Sequence, residues 1–162
     1  MDTKIARKWL CNWESVPKGM NLQDCLSIIQ NYLMASDMEV RILKQTSLKT
    51  GEEKFFVSIR SEMGLVRQET EVEIAEGTFE WLYAITGTNA LLKDRFVIQE
   101  ETVGEFNVDM YYDQKLNIIG KEFPDAETAK QFIPPAWFGE EVTDNSKFKA
   151  QSLWKELNGV EF

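Results

Sequence analysis

The chain has 162 residues, 43% of them hydrophobic, which suits one domain with a buried core and excludes a disordered chain. Its formal net charge is −9, so a general nucleic-acid-coating surface is not expected, because such surfaces rest on clustered cations. Histidine is absent, which removes Ser–His–Asp and Cys–His nucleophilic sites, HExxH zinc sites and histidine general bases together.

Any metal would then be held mainly by oxygen, which favours Mg²⁺, Mn²⁺ or Ca²⁺. Neither GxxxxGK[ST] nor GxGxxG occurs. Cys11 and Cys25 form no CxxC pair and read as reduced, structural thiols. No apolar run approaches the ~20 residues of a membrane-spanning helix, and "MDTKIARKWL" lacks the apolar core of a secretion signal. A cytoplasmic protein with no membrane partner is the expectation.

Period-two alternation marks the strands. "KIARKWLC" (4–11) sets Ile5, Arg7 and Trp9 against Lys4, Ala6 and Lys8. "LSIIQNYL" (26–33) follows, then "MEVRIL" (38–43) with Glu39, Arg41 and Leu43 on one face. "FFVSIR" (55–60) puts Phe56, Ser58 and Arg60 together, and "RQETEVEI" (67–74) puts Arg67, Glu69, Glu71 and Glu73 together. "GTFEWLYAIT" (77–86) has helical spacing of Phe79, Leu82 and Tyr83. "LLKDRFVI" (91–98) shares Lys93 and Arg95, "EFNVDMYY" (105–112) shares Asn107 and Asp109, and "KLNIIGKEF" (115–123) shares Gly120 and Glu122. "DAETAKQF" (125–132) predicts a helix capped by Asp125, and "SKFKAQSLWKELN" (146–158) another that stops before Gly159. Trp9, Trp81, Trp137 and Trp154 read as core or helix-packing residues, while Trp13 is left unassigned.

The pattern is a β-rich α+β fold, one domain over residues 1–162. About eight meandering strands favour a closed antiparallel barrel, which removes exposed edges. Composition leaves two arrangements open: charged faces in water, or charged faces lining a lumen whose outer, apolar wall is covered by helices.

"FIPPAWFGEEVTDNSKFKAQSL" (132–153) resembles the closing F-x-P-P-x-W-x-G-x-E-V-T segment of the CYTH superfamily, the triphosphate tunnel metalloenzymes. "SEMGLVRQETEVEI" (61–74) resembles that family's G-x-x-R-x-E-x-E strand, and "EVRI" (39–42), "LLKDRF" (91–96), "VDMYYD" (108–113) and "KEFPDAETAKQF" (121–132) fall in its order. The similarity is greatest to small bacterial inorganic triphosphatases and runs over essentially the whole chain.

The resemblance implies an eight-stranded antiparallel closed barrel with a few flanking helices and charged side chains inside. It implies that Lys8, Arg41, Arg60, Arg67, Lys93 and Arg95 bind a phosphate-rich ligand, a triphosphate or a nucleotide. In an active enzyme Lys8 would activate water, and Glu69, Glu71 and Glu122 would hold Mg²⁺ or Mn²⁺; binding alone would need no cofactor. Glu39 and Asp109 are further retained acids. Set against the family pattern, Lys4, Ala6, Asn107 and Gly120 stand at acidic positions, Leu43 at an arginine, and Phe148 and Ala150 at a tyrosine and an asparagine. The leading expectation is therefore an anion-binding tunnel with weak or no hydrolysis. The alternative is a Mg²⁺- or Mn²⁺-dependent inorganic or nucleoside triphosphatase. A homodimer is left open.

Overall fold

Strands dominate because the chain alternates polar and apolar residues over most of its length. In the computed structural model, which describes residues 2–61 and 64–160, they are β1 (Asp2–Cys11), β2 (Asn21–Ala35), β3 (Met38–Ser47), β4 (Glu53–Ser61), β5 (Val66–Ile74), β6 (Leu91–Glu100), β7 (Gly104–Tyr111), β8 (Leu116–Glu122) and the short β9 (Phe138–Glu141). Three α-helices flank them: α1 (Glu76–Thr86), α2 (Ala126–Gln131) and α3 (Ala150–Leu157).

The strands run in the order β5-β4-β3-β2-β6-β7-β8-β1, and β1 also pairs with β5, closing an eight-stranded barrel with every pairing antiparallel. β1 makes the seam. Residues 2–5 pair with 66–69 of β5, and residues 6–10 pair with 118–122 of β8. Further along, the edge of β1 that left β5 takes β9 instead, at Trp9 and Cys11. Backbone contact there is so close that a Cβ on Gly139 would stand 2.4 Å from the Leu10 carbonyl oxygen. Only glycine fits.

Three apolar clusters cover the barrel. Trp9, Phe106, Val108, Ile119, Phe123 and Phe138 pack beneath α2 and the segment after it. Ile42 and Phe55 take Phe79 of α1, the two phenyl rings 5.3 Å apart. Tyr32, Leu91, Tyr111 and Ile118 take Ala150, Leu153 and Trp154 of α3. Asp125 caps α2 by accepting the Thr128 N–H at 2.7 Å, and α1 ends at Gly87 in the left-handed region, φ 64°.

Several expectations change in detail. The C-terminal helix begins at Ala150 rather than 146, because Ser146–Phe148 form a separate 3-10 turn whose N–H at Lys147 is capped by Asn145. β2 starts at Asn21, five residues early, its pairing with β6 continuing past a bulge at Gln23, between Leu22 and Asp24. Trp81 is not a packing residue: it is 69% exposed on the outer face of α1. Trp13 packs edge-on against Phe96, 5.2 Å away.

Candidate functional site

Inside the barrel lies a cavity of about 240 Å³ lined by side chains from all eight barrel strands. The alternation decides the lining: Lys4, Ala6 and Lys8 from β1, Arg41, Leu43 and Gln45 from β3, Arg67, Glu69 and Glu71 from β5. Lys93 and Arg95 enter from β6, Asn107, Asp109 and Tyr111 from β7, Gly120 and Glu122 from β8. The opposite faces of these strands carry Trp9, Ile42, Val108 and Ile119 into the clusters outside. The charged faces thus line a lumen, the arrangement the resemblance implied. All nine residues named as ligand or metal contacts, Lys8, Arg41, Arg60, Arg67, Lys93, Arg95, Glu69, Glu71 and Glu122, reach this one space.

Antiparallel order gives the lumen two different ends. α3 stands at the end marked by Tyr111, Ile118 and Ala150, which belong both to its cluster and to the cavity wall. Lys8, Arg60 and Arg67 lie at a second, nearly closed cavity of about 20 Å³, walled by Thr143, Asn145, Phe148 and Lys149 from the chain's last segment. That segment is tied to β1 by the Lys8 N–H donating to Thr143 Oγ1 (3.0 Å) and the Val142 N–H donating to the Lys8 carbonyl (2.8 Å). Lys4, Glu71 and Glu122 mark the other end, where Glu71 and Glu122 are exposed.

The carboxylates are shared unequally. Asp109 is buried and accepts from Lys93 Nζ at 2.9 Å, from Arg95 Nε and Nη2 at 2.7 and 2.8 Å, and from Asn107 Nδ2 at 3.1 Å. Burial would raise its pKa, but Arg95 and Lys93 outweigh that and hold it well below the carboxylate range. One carboxylate neutralised by the Arg95 fork leaves Lys93 under-compensated, and burial lowers the Lys93 pKa to about 7 despite Asp109. Arg60 Nε donates to Glu39 at 3.2 Å. Arg41 Nη2 donates to Ser58 Oγ at 2.9 Å and lies 3.6 Å from Glu69, while its buried Nε has no partner.

Besides Lys4 at the open end, two cations deeper in the lumen are left over. No hydrogen bond or ion pair among the described residues engages the Lys8 ammonium or the Arg67 guanidinium, and the buried Arg67 Nε has no acceptor. Burial, then Arg67, Arg60 and Lys93, push the Lys8 pKa well below that of a free lysine. Burial and Arg60 lower Arg67 to about 10. Eight lysine and arginine side chains against four carboxylates around one lumen make a site that gains by taking in an anion with many oxygens.

Glu69 and Glu71 stand two residues apart on the inward face of β5; burial and Glu69 raise the Glu71 pKa. Among the described residues no three acidic or cysteine side chains gather to cage a cation. Such a pair fits a Mg²⁺-like ion that arrives on phosphate oxygens and needs one or two carboxylates from protein. Asn107 and Gly120 face each other in register, and a Cβ on Gly120 would stand 3.1 Å from Asn107 Oδ1. The amide fills room that the glycine leaves, so the two residues act as one wall feature. The sequence reading did not single out Gln30, Gln45 or Tyr111, which also face the lumen. Their alternation with outward apolar neighbours was the available signal.

A closed antiparallel barrel with cations from several strands converging on its axis defines a charged tunnel. Comparison with known proteins agrees. The chain is 31% identical over 155 residues to the inorganic triphosphatase of Nitrosomonas europaea, covering 93% of this chain and 96% of that one. It superposes on the crystal structure of the inorganic triphosphatase NE1496 with a TM-score of 0.65 and 31% identity, covering 95% of each chain. The PH1819 protein from Pyrococcus horikoshii OT3 shares the fold alone, with a TM-score of 0.69 at 14% identity over 94% of this chain and 96% of that one. No protein-family model matches. The chain belongs to the CYTH superfamily of triphosphate tunnel barrels, in the family of the Nitrosomonas inorganic triphosphatase. Among the described residues, no helix is long and apolar enough to cross a membrane.

Proposed function

We propose that the protein binds triphosphate in the lumen and hydrolyses its terminal phosphoanhydride bond. The observation that carries this is the Arg67 guanidinium, without a partner among the described residues and with its Nε buried, beside Arg41, Arg60, Lys93 and Arg95 in one lumen. Such a group is costly in the free protein and is satisfied by phosphate oxygens. The similarity to a protein named as an inorganic triphosphatase supports turnover over binding alone, so the alternative of the sequence reading is preferred to its leading expectation.

Arginines from β3, β4, β5 and β6 fix the phosphate chain from several sides, so that the terminal phosphorus meets water in line with the bond that breaks. Water oxygen bonds to that phosphorus as the anhydride P–O bond opens, and diphosphate leaves with the electron pair, its charge met by the guanidinium groups. The proton of the attacking water passes to the Lys8 amine, whose depressed basicity keeps a lone pair available. Glu69 and Glu71, with Glu122 at the mouth, would hold Mg²⁺ or Mn²⁺, which when bound neutralises the terminal phosphates and polarises water.

The test is phosphate release from tripolyphosphate with Mg²⁺ or Mn²⁺, by the wild type, Lys8→Met and Arg67→Met. Release that Lys8→Met abolishes while binding persists supports the proposal. A folded wild type that binds tripolyphosphate but releases nothing with either metal between pH 6 and 10 returns the protein to a binding role.

A further inference from the structure

Two of the arginines close on a carboxylate with both prongs. On the outer face Arg7 forks onto Glu141 at 2.8 and 2.7 Å, and in the lumen Arg95 forks onto Asp109 at 2.7 and 2.8 Å. Arg41 and Glu69 meet differently. Both are buried, where a charge gains most from its partner, yet Arg41 Nη2 stops 3.6 Å from Glu69 Oε1 and no fork forms.

Ser58 stands between them. It is fully buried in the middle of β4, opposite Arg41 of β3 on one side and opposite Glu71 of β5 on the other. Phe56 and Arg60, on the same face of β4, reach the cavity. The shorter serine leaves space over the strand, and Arg41 and Glu69 lean into it from either side. Ser58 Oγ accepts from Arg41 Nη2 at 2.9 Å and donates to Glu69 Oε1 at 3.4 Å. A hydroxyl can serve a cation as acceptor and a carboxylate as donor at once. Among the described residues the Arg41 guanidinium donates to Ser58 alone, and its buried Nε has no partner.

We propose that Ser58 is a positioning residue that keeps Arg41 and Glu69 from cancelling each other. A direct fork would turn the Arg41 N–H groups away from phosphate oxygens and occupy the Glu69 lone pairs. With the hydroxyl interposed, a donor for the anion and a carboxylate for its counter-ion stay available on adjacent strands. This rests on the triphosphate reading above and adds a residue that lies behind the lumen wall.

The experiment is a double-mutant cycle read by titration calorimetry with tripolyphosphate, without metal: wild type, Ser58→Ala, Glu69→Gln and the double variant. Thermal melts verify folding, and Ser58→Cys, of nearly equal volume but only weakly hydrogen-bonding, takes the place of a Ser58→Ala protein that does not fold. Ser58→Ala is expected to weaken tripolyphosphate by about tenfold, the loss of a charge-assisted hydrogen bond from Arg41. In the Glu69→Gln background, where Arg41 has no carboxylate to collapse onto, the same change should cost less than about twofold. A merely structural serine would cost the same in both backgrounds. That result, or a Ser58→Ala protein that binds as tightly as wild type, overturns the spacer role and leaves the triphosphate reading intact. A wild type that does not bind tripolyphosphate overturns both.

Discussion

Replacing Asp109 by asparagine tests the electrostatics of the lumen most directly. The carboxylate holds Lys93 at 2.9 Å and both ends of the Arg95 fork at 2.7 and 2.8 Å, all buried or half-buried. At 2.9 Å and an effective dielectric near 20, one such pair amounts to about 6 kcal/mol of Coulomb energy. Desolvation offsets much of that, and deleting one partner of a buried pair costs about 3–5 kcal/mol because the other charge is stranded. For a domain of this size that lowers the melting temperature by roughly 6–20 °C. The penalty depends on pH in a definite direction. Losing Asp109 lowers the folded-state pKa of Lys93 further below about 7, while the unfolded lysine stays near its ordinary value. In mildly acid solution the variant must either keep an unpaired ammonium or give up a proton that the unfolded chain binds. Its deficit is therefore larger at pH 6 than at pH 9, where Lys93 is neutral in both folded proteins. Calorimetric melts at the two pH values measure it, and tripolyphosphate should raise the melting temperature of the variant more than that of wild type. A variant as stable as wild type at pH 6, or a deficit equal at both pH values, would refute the reasoning.

Arg67→Met should leave apo stability unchanged or raised, since Arg67 has no ion pair among the described residues and its Nε is unpartnered, yet weaken tripolyphosphate by roughly 10–100-fold in titration calorimetry. Lys93 has its pKa lowered in the folded state, so the unfolded chain binds more protons between about 7 and its ordinary value near 10.5. Stability accordingly rises with pH through that window, by up to about 5 kcal/mol from this group, and denaturant titrations of Lys93→Met should show a flatter rise. Tripolyphosphate affinity runs the other way and falls as Lys93 loses its charge. Arg7 faces outward, forked onto Glu141 at 2.8 and 2.7 Å and donating to the Ala129 and Phe132 carbonyls. Arg7→Ala should cost about 2–3 kcal/mol in chemical denaturation and leave tripolyphosphate affinity unmoved.

How far the sequence reaches is plain from single residues. Alternation alone assigned Arg67, Glu69 and Glu71 to one face, and the same held for Lys93 with Arg95 and for Asn107 with Asp109. Which face was the inside was not legible from alternation, because a strand wall of period two reads the same in either direction; the closure of β1 on β5 decides it. β9 escaped notice because four residues, three of them exposed, carry no apolar rhythm of their own and exist as a strand only against β1. The early start of the C-terminal helix failed for a local reason, the Asn145 side chain capping a short turn before Lys149. Trp81 misled because composition weighs a tryptophan toward the interior, whereas α1 buries only the side bearing Phe79. Pair-level partners, such as Asp109 shared between two strands, depend on register and lay beyond any one-dimensional pattern.

The seam at β1 also bears on how the molecule is made. Ala6 pairs with Glu122, and the Lys8 carbonyl accepts from Val142, so the second strand edge of the first segment stays open until more than a hundred further residues have been synthesised. Joining ends that distant in sequence is entropically slow, and refolding should be correspondingly slow for a protein of this length. A nascent chain arrested before β8 has Arg41, Arg60, Arg67, Lys93 and Arg95 but no cylinder to concentrate them. The proposed anion site is therefore completed late in biogenesis, and all at once.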